Sequence, residues 1–528
     1  MANDMTAQST VLSICQHCRA SVPAEHVIRD DGVYLRKHCP KCGDSEQLVS
    51  SDPARWRWKR EVYQYDPSVA KVCSLHCSAC GVKHNPKLLF LDLTNRCNLN
   101  CPICLANIPS MGFEFSPPLS YIERIFAELG KWSPRPRVEL FGGEPTMRED
   151  LFDIIEIARR HGVPVSIVTN GVRLADEEFA QKLCATGVDF LVAFDGNDPE
   201  TYRRMRGTAA ILHKKLQAIE NIRKYSKRKH TLVCTLARNL NDAGMRDHFA
   251  FAHANRALFR RLFFIPLTET WEEGAYHTGG AMTTPEDAEH ILEAAFPGEN
   301  LEFFPAGMLA YVLPALRFFG TERIRFAGVH PNCESAAFLV SDGEKYVPLT
   351  HFLKRPLREL LPEIVNRAKR VNPRLQALDP KKWFQRWRGR LLAFRTYVPL
   401  LLRAANFKRI LKGNRLLAIL RILGGLMIGH KFSRQLQRHT NVQDGVPVVI
   451  LPFEEWHSLE SGRMRNCSAA FVYLDPETDE LALTPFCMWC LQRREMFAKI
   501  TARYGTVPRG APQAGPAPAA APAAPQVS

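Results

Sequence analysis

Leu91-Asp92-Leu93-Thr94-Asn95-Arg96-Cys97-Asn98-Leu99-Asn100-Cys101-Pro102-Ile103-Cys104 is the stretch on which the reading of this chain turns. The apolar run 88–93 predicts a strand that ends in a polar turn. Three cysteines then follow in a C-x3-C-x2-C spacing. Three thiolates so close on one loop suit three corners of a [4Fe–4S] cube, with the fourth iron left open to chelate a substrate or cofactor. A structural metal knuckle would bring a fourth ligand from nearby, and the loop contains none.

Outward from this loop, short apolar strands alternate with amphipathic helices. Strands are expected at 88–93, 137–141, 164–168, 189–194, 231–236 and 261–266, with helical periodicity between them, as in 150–158. Six βα units imply an α/β fold with a parallel sheet and helices outside it, a partial (β/α)6 TIM-like barrel. In such barrels chemistry sits at the C-terminal strand ends. Three polar or glycine-bearing turns fall there: Phe141-Gly142-Gly143-Glu144-Pro145, Val168-Thr169-Asn170-Gly171 and Ala193-Phe194-Asp195-Gly196. Glycines permit close backbone approach, and Glu144 can accept hydrogen bonds from an ammonium. Asn170-Gly171 and Asp195-Gly196 also read as ordinary turn dipeptides.

With these landmarks in place, the chain from Leu88 onward resembles the radical S-adenosylmethionine (SAM) superfamily. The resemblance implies that Cys97, Cys101 and Cys104 hold the SAM-binding cluster, and that Gly142, Gly143, Glu144 and Pro145 form the motif that holds the SAM amino group. It implies further that Thr169, Asn170 and Asp195 contact the methionyl and ribose parts, with Ile103 packing on adenine. Residues 237–242 match the family pattern only partly. No catalytic residue is assigned beyond the cluster.

The remaining cysteines fall into groups. Cys15, Cys18, Cys39 and Cys42 form two C-x2-C knuckles, four thiolates for one tetrahedral zinc or iron, read as a folding staple. Cys73, Cys77 and Cys80 repeat the C-x3-C-x2-C spacing and are read as ligands of an auxiliary cluster, or as an extension of the N-terminal module. Cys333 is either a fourth ligand to that cluster or a core thiol. Cys467, Cys487 and Cys490 suit a second auxiliary cluster. Cys184 and Cys234 lie in helical and strand patterns and read as core thiols.

The chain has 528 residues, 46% of them hydrophobic and 23% charged, with 16 cysteines. The polar start lacks an apolar signal region, so clustered C-x2-C pairs point to metal in a reducing, cytoplasmic setting rather than to disulfides. The formal net charge of +16 is concentrated in 380–443, which carries 15 Lys or Arg and no Asp or Glu. There Trp383, Phe384, Trp387, Leu391, Leu392 and Phe394 interleave with basic residues, a pattern suited to an anionic membrane surface. Nucleic acid is the competing partner and a solvated helix hairpin the bland reading; the long aliphatic runs favour the membrane, on its inner face.

The expected organisation is a rubredoxin- or zinc-ribbon-like module (1–50), an auxiliary-cluster segment (51–86), the barrel (87–290), a barrel extension (291–379), a basic amphipathic helical segment (380–443), a C-terminal cluster region (444–504) and a Pro/Ala-rich disordered tail (505–528). This layout resembles the tetraether (membrane-spanning) lipid synthases, a family also labelled pterin methyltransferase. The resemblance implies SAM, its [4Fe–4S] cluster, one or two auxiliary [4Fe–4S] clusters, a mononuclear Fe or Zn, and an electron donor such as flavodoxin or ferredoxin. It implies generation of a 5′-deoxyadenosyl radical and C–C coupling of lipid chains. The alternatives are a radical SAM enzyme acting on a pterin or peptide and, in another class, a metal-ribbon nucleic-acid binder.

Overall fold

The computed structural model describes residues 11–65, 75, 86–106, 108, 111–268, 282–427, 435 and 438–508. The N-terminal module is an antiparallel sheet in chain order, β1 (Val11–Ile14), β2 (Ser21–Arg29), β3 (Gly32–Cys39) and β4 (Gly43–Ser50). Its own core is little more than Cys15, Val22 and Cys39, with Cys18 against them. So small a core needs a metal to hold it. Gly43, at φ +82°, turns the chain so that the Cys42 N–H donates to Cys39 Sγ at 3.3 Å. The four sulfurs lie within 4.8 Å of one another, as one tetrahedral ion requires.

After helix α1 (Pro53–Tyr63), the six expected strands appear close to their expected bounds. They are β5 (Leu88–Thr94), β6 (Arg137–Gly142), β7 (Val165–Thr169), β8 (Asp189–Ala193), β9 (His230–Leu236) and β10 (Phe259–Pro266). All pair in parallel with their sequence neighbours. The crossovers carry α2 (Leu119–Gly130), α3 (Leu151–Arg160), α4 (Glu177–Ala185), α5 (Pro199–Arg206), α6 (Ile211–Tyr225) and α7 (Met245–Ala254); α8 (Pro285–Ala294) follows β10. Strand alternation sets the two faces. Leu89, Leu91 and Leu93 of β5 and Val138 and Leu140 of β6 pack with Ile122, Ile125, Phe126 and Leu129 of α2 in the outer core. Phe90, Asp92 and Phe141 therefore face the barrel interior. Cys184 and Cys234 are buried in the outer core, as expected.

Beyond residue 300 come β11 (Phe304–Pro305), α9 (Leu309–Leu316), β12 (Ser335–Ser341), β13 (Tyr346–Pro348) and α10 (Leu357–Gln376). The basic segment forms α11 (Trp383–Ala404), α12 (Phe407–Ile410) and α13 (Arg415–Met427). The C-terminal cysteine-rich region adds strands to both edges of the parallel sheet. Its β14 (Gln443–Ile450) pairs in parallel with β10, and its β15 (Ala469–Leu474) pairs in parallel with β5. β16 (Leu481–Pro485) returns antiparallel to β15 and leads into α15 (Phe486–Tyr504). The order β11-β12-β14-β10-β9-β8-β7-β6-β5-β15-β16 results. Residues 451–468, with the short α14 (Ser461–Arg465), thus run from one edge of the parallel sheet to the other.

The N-terminal module docks on this bridging segment. Leu12 N–H donates to Ser461 Oγ (3.0 Å), Ser13 Oγ to Leu459 O (2.6 Å) and Lys37 Nζ to Trp456 O (2.5 Å), and His26 pairs with Glu460 at 2.7 Å. Because the metal holds the module and the module holds the bridge, Cys15→Ser with Cys39→Ser is expected to remove one metal equivalent. Hydrogen exchange should then rise in 454–463 as well as in 11–50. Exchange raised in the module alone would show that the bridge does not depend on it.

Candidate active site at the C-terminal strand ends

The cluster loop leaves β5 through a stitched turn. Thr94 Oγ1 accepts from Arg96 N–H (3.0 Å), and Asn95 holds the returning chain by donating to Phe113 O (2.7 Å) and accepting from Phe115 N–H (2.8 Å). The Gly142-Gly143-Glu144 turn is sewn to this loop: Gly143 N–H donates to Thr94 O (2.7 Å) and Glu144 N–H to Arg96 O (2.8 Å). A Cβ at Gly142 would meet Thr94 O at 2.2 Å, and one at Gly143 would meet Arg96 O at 2.4 Å. The two glycines are therefore required for the turn to lie against the cluster loop at all. Asn95 to Asn100, Ile108, Phe113 and Glu114 line a cleft of about 520 Å³ around Cys97.

Glu144 is buried behind this turn. Its Oε1 accepts from Thr146 N–H (3.1 Å), Thr146 Oγ1 (2.7 Å) and Thr169 Oγ1 (2.8 Å), while Oε2 accepts, among the described residues, only Asn170 N–H (2.7 Å). Burial pushes its pKa up against these donors. One acceptor position is left on Oε2, where an ammonium would fit. Pro145 starts the buried 3-10 turn that supplies Thr146. Asn170 Nδ2 bridges to Asn98 Oδ1 (2.8 Å) and lies 3.9 Å from Cys97 Sγ, which ties the β7 end to the cluster loop. Ile103 is buried against Met205, Ala237 and Leu267, so the partly matching turn after β9 does reach it.

Asp195, expected to face the ribose, is held in a buried ion pair. Its carboxylate is fully buried, takes Arg206 Nε (2.8 Å) and Nη2 (2.9 Å), and accepts Thr235 N–H (3.1 Å). Burial would raise its pKa, but the Arg206 charge holds it below the ordinary value. Arg206 also lies beside Cys101. Lys215, fully buried, donates to Asn170 O (2.8 Å) and Ala193 O (2.5 Å) and so clamps the ends of β7 and β8; burial lowers its pKa to about 8. Arg206 and Lys215 sit in helical patterns, and nothing in their sequence context singles them out.

A second group of thiols lies by the two edges of the parallel sheet, Cys333 just before Ser335, which pairs with Ile450 at the end of β14. Cys467 precedes β15, whose first residue Ala469 pairs with Leu88, the first of β5. Cys333 and Cys467, half-buried, and Cys487, buried, are close enough to act on one another electrostatically, and desolvation pushes all three thiols up, Cys467 to about 12. Cys333 Sγ accepts from Arg463 Nη2 (3.6 Å) and Cys487 Sγ from Glu454 N–H (3.4 Å). Three thiols from three segments are a donor set of the kind a cluster takes. Cys490 is not with them: one turn along α15, its neighbours are Arg493 and Asp92. Cys73, Cys77 and Cys80 lie outside the described residues. Leu75, between them, is buried in the core that holds Met464 and Cys487. α15 runs from this group toward the cluster loop, with Trp489 Nε1 donating to Asp92 Oδ2 (2.7 Å) and Arg493 near Cys104.

Comparison with known proteins agrees with this geometry. A model of the radical SAM superfamily matches residues 91–252, and a model of the HMPTM N-terminal zinc ribbon domain matches 8–51. The GTP 3′,8-cyclase of Tolumonas auensis is 35% identical over 289 residues, 50% of this chain and 81% of that protein. The chain belongs to the radical SAM superfamily. The 7,8-dihydro-6-hydroxymethylpterin dimethyltransferase of Methanocaldococcus jannaschii is 29% identical over 361 residues, 66% of this chain and 71% of that protein. The AdoMet-dependent heme synthase of Methanosarcina barkeri is 31% identical over 212 residues, 39% of this chain and 57% of that protein.

The protein is thus a radical SAM enzyme that uses a [4Fe–4S] cluster and SAM, with a further metal site in the ribbon. Glu144→Gln would set an amide N–H2 against the donors that surround the carboxylate and remove the charge facing an ammonium. Its KM for SAM is expected to rise about 10- to 100-fold. Iron content should be unchanged, checked by titrating SAM against the reconstituted enzyme.

Proposed function

We propose that this radical SAM enzyme acts on the hydrocarbon chains of lipids and joins two of them by a C–C bond. The observation that carries the reading is the inner face of the sheet beside the cluster loop. Phe90, Phe141, Phe453, Phe471 and Phe486 pack there with neighbouring ring centroids 4.6–6.0 Å apart. Leu191, Phe263 and Val449 continue the surface across the sheet. Phe141 directly precedes Gly142. Phe471 and Phe486 are buried and Arg493 lies over Phe141 and Phe471, so it is the half-buried Phe90, Phe141 and Phe453 that offer an apolar edge suited to an alkyl chain. When bound, the cluster and SAM supply a 5′-deoxyadenosyl radical able to take hydrogen from an unactivated carbon. The chain's own part is to orient that reagent through the Glu144 turn and to keep the interior dry.

Joining two chains removes one hydrogen from each, so the product weighs two hydrogens less than its two precursors. Two molecules of SAM are consumed, with two electrons from the reductant. Mass spectrometry of lipids incubated with reconstituted enzyme, SAM and dithionite should show species of doubled chain length, with two 5′-deoxyadenosine per bond. Vigorous 5′-deoxyadenosine formation with an unchanged lipid profile would reject the lipid reading. A second reading, methyl transfer to a pterin, is favoured by the similarity to the Methanocaldococcus jannaschii dimethyltransferase. It predicts a methylated pterin when a dihydropterin replaces the lipid.

A further inference from the structure

Helix α11 is built inside out. Its buried residues are Gly389, Ala393, Leu400 and Ala404. Gly389 lies so close to Phe318 that a Cβ would stand 2.4 Å from the ring. Its large apolar residues face solvent: Trp383 is 79% exposed, Phe384 61%, Trp387 55%, Phe394 52% and Leu401 59%, and Leu391 and Leu402 are exposed beside them. At about 100° per residue these positions fall on one arc of about 100°, nearly opposite the small buried ones. An ordinary surface helix has the reverse arrangement.

Arginines border the apolar arc on both sides. Arg386 and Arg390 fall on one edge, Arg388 and Arg395 on the other, with Lys381 and Lys382 ahead of the helix. Arg390 is anchored, donating to Phe318 O (3.0 Å) with its guanidinium 5.7 Å from the Phe319 ring centroid. Phe319, itself 47% exposed, widens the patch. Further along the chain α13 repeats the theme with Leu416, Leu417 and Leu420 exposed. No acidic residue interrupts 380–443. No helix among the described residues is long and apolar enough to cross a membrane.

We propose that α11, with the exposed leucines of α13, is a docking surface for an anionic lipid bilayer. The aromatic stripe enters the acyl boundary, while the flanking arginines reach the phosphates by snorkelling. Nucleic acid would call for the same charge but would leave an aliphatic stripe of Leu391, Leu401 and Leu402 in water. A second copy of the chain would place the two arginine borders against each other. The bilayer satisfies both features. The proposal goes beyond the proposed reaction and does not depend on it.

The test is co-sedimentation of the full chain with sucrose-loaded vesicles, of phosphatidylglycerol mixed with phosphatidylcholine or of phosphatidylcholine alone. Binding is expected to the anionic vesicles and to weaken with salt. Arg386→Glu, Arg388→Glu and Arg395→Glu together should lower the partition coefficient about 100-fold or more. Trp383→Ala, Trp387→Ala and Phe394→Ala together should lower it about tenfold or more. All six are exposed, so 5′-deoxyadenosine formation with dithionite should stay at the wild-type level and report an intact fold. The proposal is overturned if wild type stays in the supernatant with anionic vesicles, or if the aromatic variant pellets like wild type. It is equally overturned by self-association or oligonucleotide retention that these variants abolish in a protein that binds no vesicles. Because the readout is binding, a failed lipid-coupling assay leaves this result standing, and the reverse.

Discussion

Cys101→Ala is expected to abolish SAM cleavage: 5′-deoxyadenosine formed with dithionite falls by about three orders of magnitude or more, because a cube held by two thiolates is not retained. The ribbon metal should remain, since Cys15, Cys18, Cys39 and Cys42 form a separate site. Cys184→Ala is the matched control. That thiol is buried among outer helices, and its loss should cost some packing and no SAM cleavage. Metal analysis with chromatographic quantitation of 5′-deoxyadenosine separates the two. Full cleavage in Cys101→Ala would move the SAM site elsewhere in the chain.

Arg206→Met should be the most damaging change outside the cysteines. It strips a fully buried carboxylate, Asp195, of a bidentate partner. Breaking a buried pair from one side costs about 3–5 kcal/mol, since the remaining charge has no solvent to return to. The same guanidinium acts on Cys101, so the cluster loop loses a neighbour as well. A denaturant midpoint lowered accordingly, with weaker SAM binding in the folded fraction, is the expected result. Asp195→Asn with Arg206→Met should recover much of the stability without restoring SAM binding. An Arg206→Met protein as stable as wild type would mean that water reaches Asp195.

The barrel was legible in the sequence because each strand and helix there answers to its own local period. Leu88 to Leu93 and Arg137 to Phe141 read as strands, and the structure places β5 and β6 there. The glycines of 142–143 were legible as places of close approach, and the structure shows that what approaches is the cluster loop. Pairing across long separations was not legible. The run 469–474 reads as a strand, yet nothing local says that it joins β5, almost 400 positions earlier, or that β14 joins β10 at the opposite edge. The same limit hid Arg206 and Lys215, charged residues in helical patterns whose partners lie on other strands. It also separated Cys490 from Cys487, which share a C-x2-C but face different neighbours.

In the proposed reaction the radical generated at the cluster loop takes hydrogen from a lipid chain held in the barrel interior. The most direct measurement is isotope transfer. Reconstituted enzyme is given SAM, dithionite and a lipid with perdeuterated chains, and the 5′-deoxyadenosine is analysed by mass spectrometry. The account predicts 5′-deoxyadenosine carrying one deuterium. Abundant 5′-deoxyadenosine without deuterium, in a mixture where the lipid is accessible, would contradict it.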